Sequence, residues 1–280
     1  MEYVEHSPPA ALSKYVQCLW RLRDATPATA PQTLYPDGRC EIIVHLATPT
    51  QILTQDGNWY QQTPTLFAAQ ATRVIRLRAM SAIDCVGVRL HPAACSILFD
   101  AQARSLADSA DVVLDLRSLD DTFAAALHRA ATSSADPFAP AVTQILADRF
   151  QTFHTDPRID AAVQLIDQAD GNVAIAQVAR AIGSSLRTLQ MRFLSAVGVT
   201  PKVYARVRRL QATIRQLDDD RGTLAAMSLE NGFADQAHAT RDIRRIAGMT
   251  PGRLRRALAA ERNGDRTLAL AAAFVRGVTL

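Results

Sequence analysis

Two short stretches, at 187–192 and 236–245, carry side chains whose types and spacing suit the edges of nucleic-acid bases. The first turns Arg187, Thr188, Gln190, Met191 and Arg192 to one side of a helical period. The second does the same with Gln236, His238, Thr240, Arg241, Arg244 and Arg245. An arginine fork can bond O6 and N7 of guanine together, and a glutamine amide can bond N6 and N7 of adenine. Met191 offers only apolar contact, for instance to a thymine methyl. Ser185, Thr188, Arg192, Lys202, Thr240 and Arg244 are better suited to phosphates, where contacts position without specifying. A solvated helix face is the competing reading for Arg192, Arg208 and Arg209.

What positions these groups is written twice in the chain. VGVTP at 197–201 returns as AGMTP at 247–251, an offset of 50 that also places Leu189 on Ala239, Phe193 on Ile243 and Gly198 on Gly248. Two copies are too few for a solenoid, so the economical reading is one supersecondary unit used twice. In the first copy Val173, Ala176, Val178, Ala179 and Ile182 fall at helical spacing, and Gly183 can end that helix in the left-handed conformation. Ser184 or Ser185 then caps a second helix whose buried stripe is Leu186, Leu189, Phe193 and Val197. In the second copy Leu224, Met227 and Phe233 build the first helix and turn. Helix, turn, helix is the arrangement that lays its second helix in the major groove. One such pair is also common in helical cores; two, each with Arg, Gln, Thr or His outward, favour DNA. Residues 202–217 form a helix of roughly 24 Å at about 1.5 Å per residue, able to hold two such helices about one DNA turn, ~34 Å, apart.

SLRTLQMRFLSAVGVTPKVYARVRRLQA (185–212) and NGFADQAHATRDIRRIAGMTPGRLR (231–255) resemble the DNA-binding region of the AraC/XylS family of bacterial transcription regulators. The second is close to the family signature: a GF turn, D-Q, a T-R pair, then G-x-x-P and a terminal basic residue. The resemblance covers about 158–258. It implies that Arg187, Gln190 and Met191 sit where the family reads bases, with Gln236, His238 and Arg241 at the matching positions of the second unit. Ala239 and Ile243 stand where the family has larger apolar residues, which implies a looser second unit. Met191 replaces a frequent arginine, which removes one contact.

Composition agrees and narrows the class. The chain has 280 residues, 48% of them hydrophobic, enough for two real cores. Residues 157–280 hold 19 basic and 11 acidic residues, net +8; residues 1–156 hold 12 and 16, net −4. One half therefore suits a polyanion and the other does something else. No run of about 18 apolar residues indicates a membrane span, and the start MEYVEHSPPA is unlike a signal peptide. Cys18, Cys40, Cys85 and Cys95 are far apart in sequence with no C-x-x-C, which suits a reducing cytoplasm.

The first half reads as short strands: 40–46 after the Pro36-Asp37-Gly38 turn, a hairpin around Asp56-Gly57, 74–79, and 83–90. Pro92 opens a short helix running to Phe99. Ser118 caps a helix over SLDDTFAAALHRAA, a second follows Pro140, and Asp156-Pro157 opens the DNA-binding unit. The expected fold is α+β in two domains. A small β-barrel with flanking helices occupies 1–117, a helical connector and candidate dimer interface 118–156, the all-α double helix-turn-helix domain 157–260, and a tail 261–280. The segments YPDGRCEIIVHL and VGVRLHPAACSIL resemble a cupin-like regulatory domain found in such regulators, which implies a barrel but no particular ligand.

Candidate ligand contacts are Trp20, Arg39, Glu41, Trp59, Tyr60, Arg89 and His91, although core packing or a surface ion pair is the preferred explanation for each taken singly. No metal and no cofactor are expected, since no His-x-His, H-E-x-x-H, P-loop, G-x-S-x-G or G-x-G-x-x-G occurs. An enzyme is not expected either; DNA-alkylation-repair fusions of this type need a cysteine cluster that is missing. The function expected is a sequence-specific transcription regulator, modulated by a small molecule or partner through its N-terminal half. The alternatives are that this half only dimerises, or that the chain is a repair fusion. The implied partners are operator DNA, RNA polymerase, a small-molecule effector and a second copy of the chain.

Overall fold

Alternating burial in the first half becomes two sheets. The computed structural model describes residues 1–28, 30–98, 113–134, 136, 138–219 and 223–262. Its strands are β1 (Glu2–His6), β2 (Val16–Asp24), β3 (Gln32–Leu34), β4 (Cys40–His45), β5 (Gln51–Leu53), β6 (Trp59–Gln61), β7 (Thr65–Ala68), β8 (Ile75–Arg78), β9 (Ile83–Leu90) and β10 (Val113–Asp115). Six pair in the order β1-β2-β9-β4-β7-β10 and four in the order β3-β8-β5-β6. Among the described residues the two sheets face each other without closing, so the barrel expected from the sequence is corrected to an open two-sheet arrangement.

The larger sheet is buried on both faces. Leu19, Ile42, Val44, Phe67, Val86 and Val88 point one way, into a core completed by Phe123, Leu127, Val142, Leu146 and Phe150. Those five belong to α2 (Asp121–Thr132) and α3 (Pro140–Phe150), which follow the single turn α1 (Leu116–Leu119). The cap of α2 is Asp120, whose carboxylate accepts from Phe123 N, not Ser118 as its sequence suggests. The 118–153 helices thus pack on the sheet. On the other face, Trp20 lies directly across from Gly87 of β9. A Cβ on Gly87 would stand 2.1 Å from Trp20 Cε2, so only glycine lets the indole lie flat there and reach Glu41 Oε1 at 3.1 Å through Nε1. After β9, Pro92–Leu98 is a 3₁₀ helix, so the expected helix forms with tighter winding; Phe99 lies outside the described residues.

From Pro157 the chain is helical. The elements are α4 (Pro157–Gln168), α5 (Ile175–Ala181), α6 (Leu186–Val197), α7 (Pro201–Asp218), α8 (Leu224–Glu230), α9 (Gln236–Ala247) and α10 (Pro251–Arg262). The start of α4 has a chemical reason: Asp156 caps it and Pro157 follows at the first helical position. The repeated glycines end α6 and α9 in the left-handed region, Gly198 at φ 86° and Gly248 at φ 70°. Ile159, Val163, Val178, Leu189, Phe193 and Tyr204 fill the first unit's core. Leu210, Ile214, Met227, Phe233, Ile243 and Leu254 fill the second's. Helix α7 therefore contributes to both. Among the described residues no helix is long and apolar enough to cross a membrane.

The halves touch through side chains that each lends the other. Tyr35 is buried in the core of the second helical unit, and Ala93 of the 3₁₀ helix in that of the first. Val74 N donates to Ile246 O at 3.1 Å.

Gly87→Ala is expected to lower stability by about 1–3 kcal/mol in urea unfolding, with a loss of near-ultraviolet dichroism from the displaced Trp20. An unchanged midpoint would mean that the indole is not held by this contact.

Candidate nucleic-acid interface

Helix α6 is fixed at its start by Ser185, whose hydroxyl accepts from Thr188 N at 3.1 Å. With Leu189, Phe193 and Val197 buried, the other face is set by geometry: Arg187, Gln190, Met191 and Arg192 are exposed and Thr188 is half-buried. Met191 is 48% exposed, and so is Leu186 at 42%, which the sequence placed in the buried stripe. Arg192 is held by Asp156 at 3.1 Å, an exposed pair that offsets its charge only weakly.

Helix α9 repeats the plan with a stronger cap. Asp235 Oδ1 accepts from His238 N at 2.6 Å. Gln236, Arg241, Arg244 and Arg245 are exposed, and Thr240 is half-buried. His238 is tied into its own unit: its Nδ1 accepts from Ala234 N at 3.3 Å and its ring stands edge-on to Phe233. It thus braces the turn as well as bordering the exposed face. Helix α9 is joined to α7 by a two-pronged pair, Arg206 to Asp242 at 2.6 and 3.2 Å. Lys202 stands exposed in the first turn of α7.

The N-terminal candidates divide. Trp20, Arg39 and Glu41 line a hollow of about 120 Å³ between the two sheets. The other four lie outside its wall. Trp59 is stacked under Arg78, 4.5 Å from the ring centre, and Tyr60 is exposed with its hydroxyl on Asp56. His91 Nε2 meets Ser13 O at 3.2 Å. Arg89 is buried behind Glu41, bonding it at 2.8 Å and Glu5 at 2.9 Å. Burial opposes charge on Arg89, yet Glu41 and Tyr3 hold its pKa above the ordinary guanidinium value. Burial raises the Glu41 carboxyl in turn, against the pull of Arg89. Among the described residues no cluster of metal-ligating side chains is present, and all four cysteines are free and buried.

Comparison with known proteins meets this geometry at the helical end. Residues 178–257 match the family model described as a helix-turn-helix domain, of the AraC type. That region is an AraC-type helix-turn-helix domain. Residues 4–110 match a family described as a domain of unknown function (DUF6597). The chain is similar to the transcriptional activator NphR of a Rhodococcus species, 31% identical over 129 residues, covering 45% of this chain and 38% of that one. It is also similar to an AraC-like transcription regulator of Streptomyces antibioticus, 29% identical over 102 residues, covering 36% and 34%. The match thus spans little more than a third of either relative. Among solved structures, ToxT of Vibrio cholerae with unsaturated fatty acid bound aligns over 91% of this chain and 95% of its own, at 11% identity and a TM-score of 0.43. An AraC-type DNA-binding domain of Chromobacterium violaceum aligns over 37% and 93%, at 24% identity and a TM-score of 0.35.

Within the AraC-type domain the two small residues are explained. Ala239 and Ile243 are fully buried, in a core that also receives Tyr35 from outside the domain. Sequence reading missed this contribution, as it missed that residues 35–39 contact α7 at all. YPDGR reads as a turn, and nothing in a local pattern says what a turn leans on.

Asp235→Ala is expected to lower stability by about 1 kcal/mol through loss of the α9 cap. Arg241→Ala, on the exposed face of the same helix, should shift it by no more than about 0.5 kcal/mol. Chemical denaturation of both variants checks the pair, and the reverse order would mean that Arg241 has a structural role.

Proposed function

We propose that the chain is a sequence-specific transcription regulator whose residues 157–260 read two successive major-groove segments of one operator. Residues 1–117, with 118–156 packed on them, modulate that reading. The observation that carries this is the pairing of two capped helices, α6 and α9, each with an Arg and Gln face free to solvent, on one continuous helix. At about 1.5 Å per residue, the 18 residues of α7 span about 27 Å. With the turns at both ends this suits recognition helices about 34 Å apart on one face of the duplex.

Arg187, Gln190 and Met191 read one segment, and Gln236, His238 and Arg241 the other. Ser185, Thr188, Arg192, Lys202, Thr240 and Arg244 hold phosphates. Two of these assignments carry a cost that binding must meet. Arg192 has to leave Asp156, which costs little because the pair is exposed. His238 can offer a base only the edge that Ala234 N leaves free. Asp242 sits beneath this face, and Arg206 neutralises it, so phosphate repulsion there is muted. The acidic first half and basic second half suit a molecule that brings only one end to the duplex. RNA polymerase and a second copy of the chain belong to this reading as partners of a regulator of this class.

Selection of bound sequences from a random duplex pool tests the reading directly. One asymmetric motif with two blocks about a helical turn apart is expected, and its absence would overturn it. Gln190→Ala or Arg241→Ala should relax one position of that motif and cost on the order of 1–3 kcal/mol on the preferred site. Lys202→Ala should weaken all sequences alike and reduce the slope of log K against log salt by about 1; an unchanged slope removes Lys202 from the phosphate contacts.

A further inference from the structure

The hollow between the sheets has a size, a polarity and an exit. About 120 Å³ is close to the ~150 Å³ of an apolar cavity that holds one benzene. Its walls are mainly apolar, among them Leu22, Ile43, Leu77, Ile83 and Cys85. One polar group on the wall is left over. His45 is 6% exposed, and its Nε2 finds no hydrogen-bond partner among the described residues. Burial lowers its pKa to about 4, with Gln62 pulling the other way, so at neutral pH the ring is uncharged. A buried imidazole nitrogen without a partner carries its full desolvation penalty, and a ligand hydroxyl would relieve it.

The arginine and the glutamate of the wall are already matched, while among the described residues the carboxylate of Asp37 accepts only from Arg39 N at 2.9 Å. Glu41 takes Arg89 at 2.8 Å and the Trp20 indole at 3.1 Å, and Arg39 faces Asp167 at 3.6 Å. An anionic ligand would therefore be buried without a counter-ion, and the mainly apolar wall suits an uncharged one.

The exit is the segment 35–39. Tyr35, Asp37 and Arg39 line the hollow, and the same segment grips α7 from outside. Pro36 O accepts from Gln211 Nε2 at 2.5 Å, and Asp37 O from Arg208 Nη1 at 2.9 Å. Gly38, at φ 79°, lies so close that a Cβ would stand 3.0 Å from the Tyr204 ring.

We propose that this hollow is the effector site, that it takes an uncharged single-ring molecule whose hydroxyl is held by His45, and that residues 35–39 pass its occupancy to α7. The regulatory meaning rests on the DNA-reading function proposed above. The binding and its transmission do not, and they are measured without DNA.

Calorimetric titration of the full chain with phenol, benzene and benzoate tests the site. Phenol should bind once per chain, with benzene and benzoate each weaker by about tenfold or more. His45→Leu should bring phenol down to the level of benzene. Ala68→Leu, which fills the hollow from β7, should abolish both; it tests the site by itself if His45→Leu fails to fold. Absence of phenol binding, equal affinity for all three, or full affinity in Ala68→Leu overturns the site. Hydrogen exchange then tests the transmission: phenol should change protection within 201–218 in the wild type and not in Gln211→Ala, whose phenol affinity should stay within about twofold. Unchanged protection in the wild type, or the same change in both chains, overturns the role of 35–39. Failure of the duplex selection alone would overturn the DNA reading and leave these outcomes standing.

Discussion

One helix has to satisfy three neighbours at once, and the rest of the molecule is arranged around that demand. Helix α7 gives Tyr204, Ala205 and Val207 to burial early in its length, then Leu210, Ile214 and Leu217. Tyr204 and Ala205 serve the first helix-turn-helix unit and the last three the second. A helix with an ordinary amphipathic stripe would leave its remaining side to water. Here Gln211 and Thr213 are buried as well, the former by the carbonyl of Pro36 and the latter on Arg209 O. Two buried polar side chains are tolerable only because both are bonded, and one of those bonds comes from the other half of the chain.

Charge reinforces that seat. Asp167 of α4 receives the Tyr204 hydroxyl at 2.8 Å, Arg208 at 2.7 Å and Arg39 at 3.6 Å. Burial, and then Asp167 itself, raise the Tyr204 pKa, so the phenol remains a donor. One carboxylate thus ties the first unit, the linker helix and the sheet-rich half together. Removing any single contact leaves the others partly desolvated and short of a partner, which is why such clusters cost more to break than their pairwise strength suggests.

How much of this was legible in the sequence depends on how local the cause is. Serine, aspartate and glycine at helix ends act within four residues, so the limits of α6 and α9 and the left-handed turns at Gly198 and Gly248 can be read directly. The exposed faces follow from the buried stripe by simple periodicity. Strand β9 was equally plain, because its apolar run is bounded by turn signals. Strands β1, β7 and β10 were not read at all, since each is short and takes its identity from a partner distant in the chain. Whether the sheets close could not be read for a related reason, because closure is a property of the whole set of pairings. The candidate ligand residues were chosen by type. Trp20, Arg39 and Glu41 line the hollow, while Arg89, of like chemistry, ended up behind it. His45, which no motif singles out, has a ring nitrogen on the wall without a partner among the described residues.

The small residues of the second unit connect these threads. Ala239 and Ile243 leave room in its core, and Tyr35 occupies the same cluster, with its hydroxyl toward Met249. Burial pushes that phenol up to about 12, so it stays neutral within the apolar cluster. A core that borrows a side chain is less stable when the lender moves away. Whatever alters the seating of residues 35–39 must therefore alter the second unit, because Tyr35 cannot be withdrawn without exposing the room it occupies. The converse holds by linkage: anything that stabilises the second unit in this conformation, a DNA duplex included, favours the same seating of Tyr35 and its neighbours. The core of the second unit is thus completed by a side chain from the other half of the chain, and its stability is tied to where that half sits.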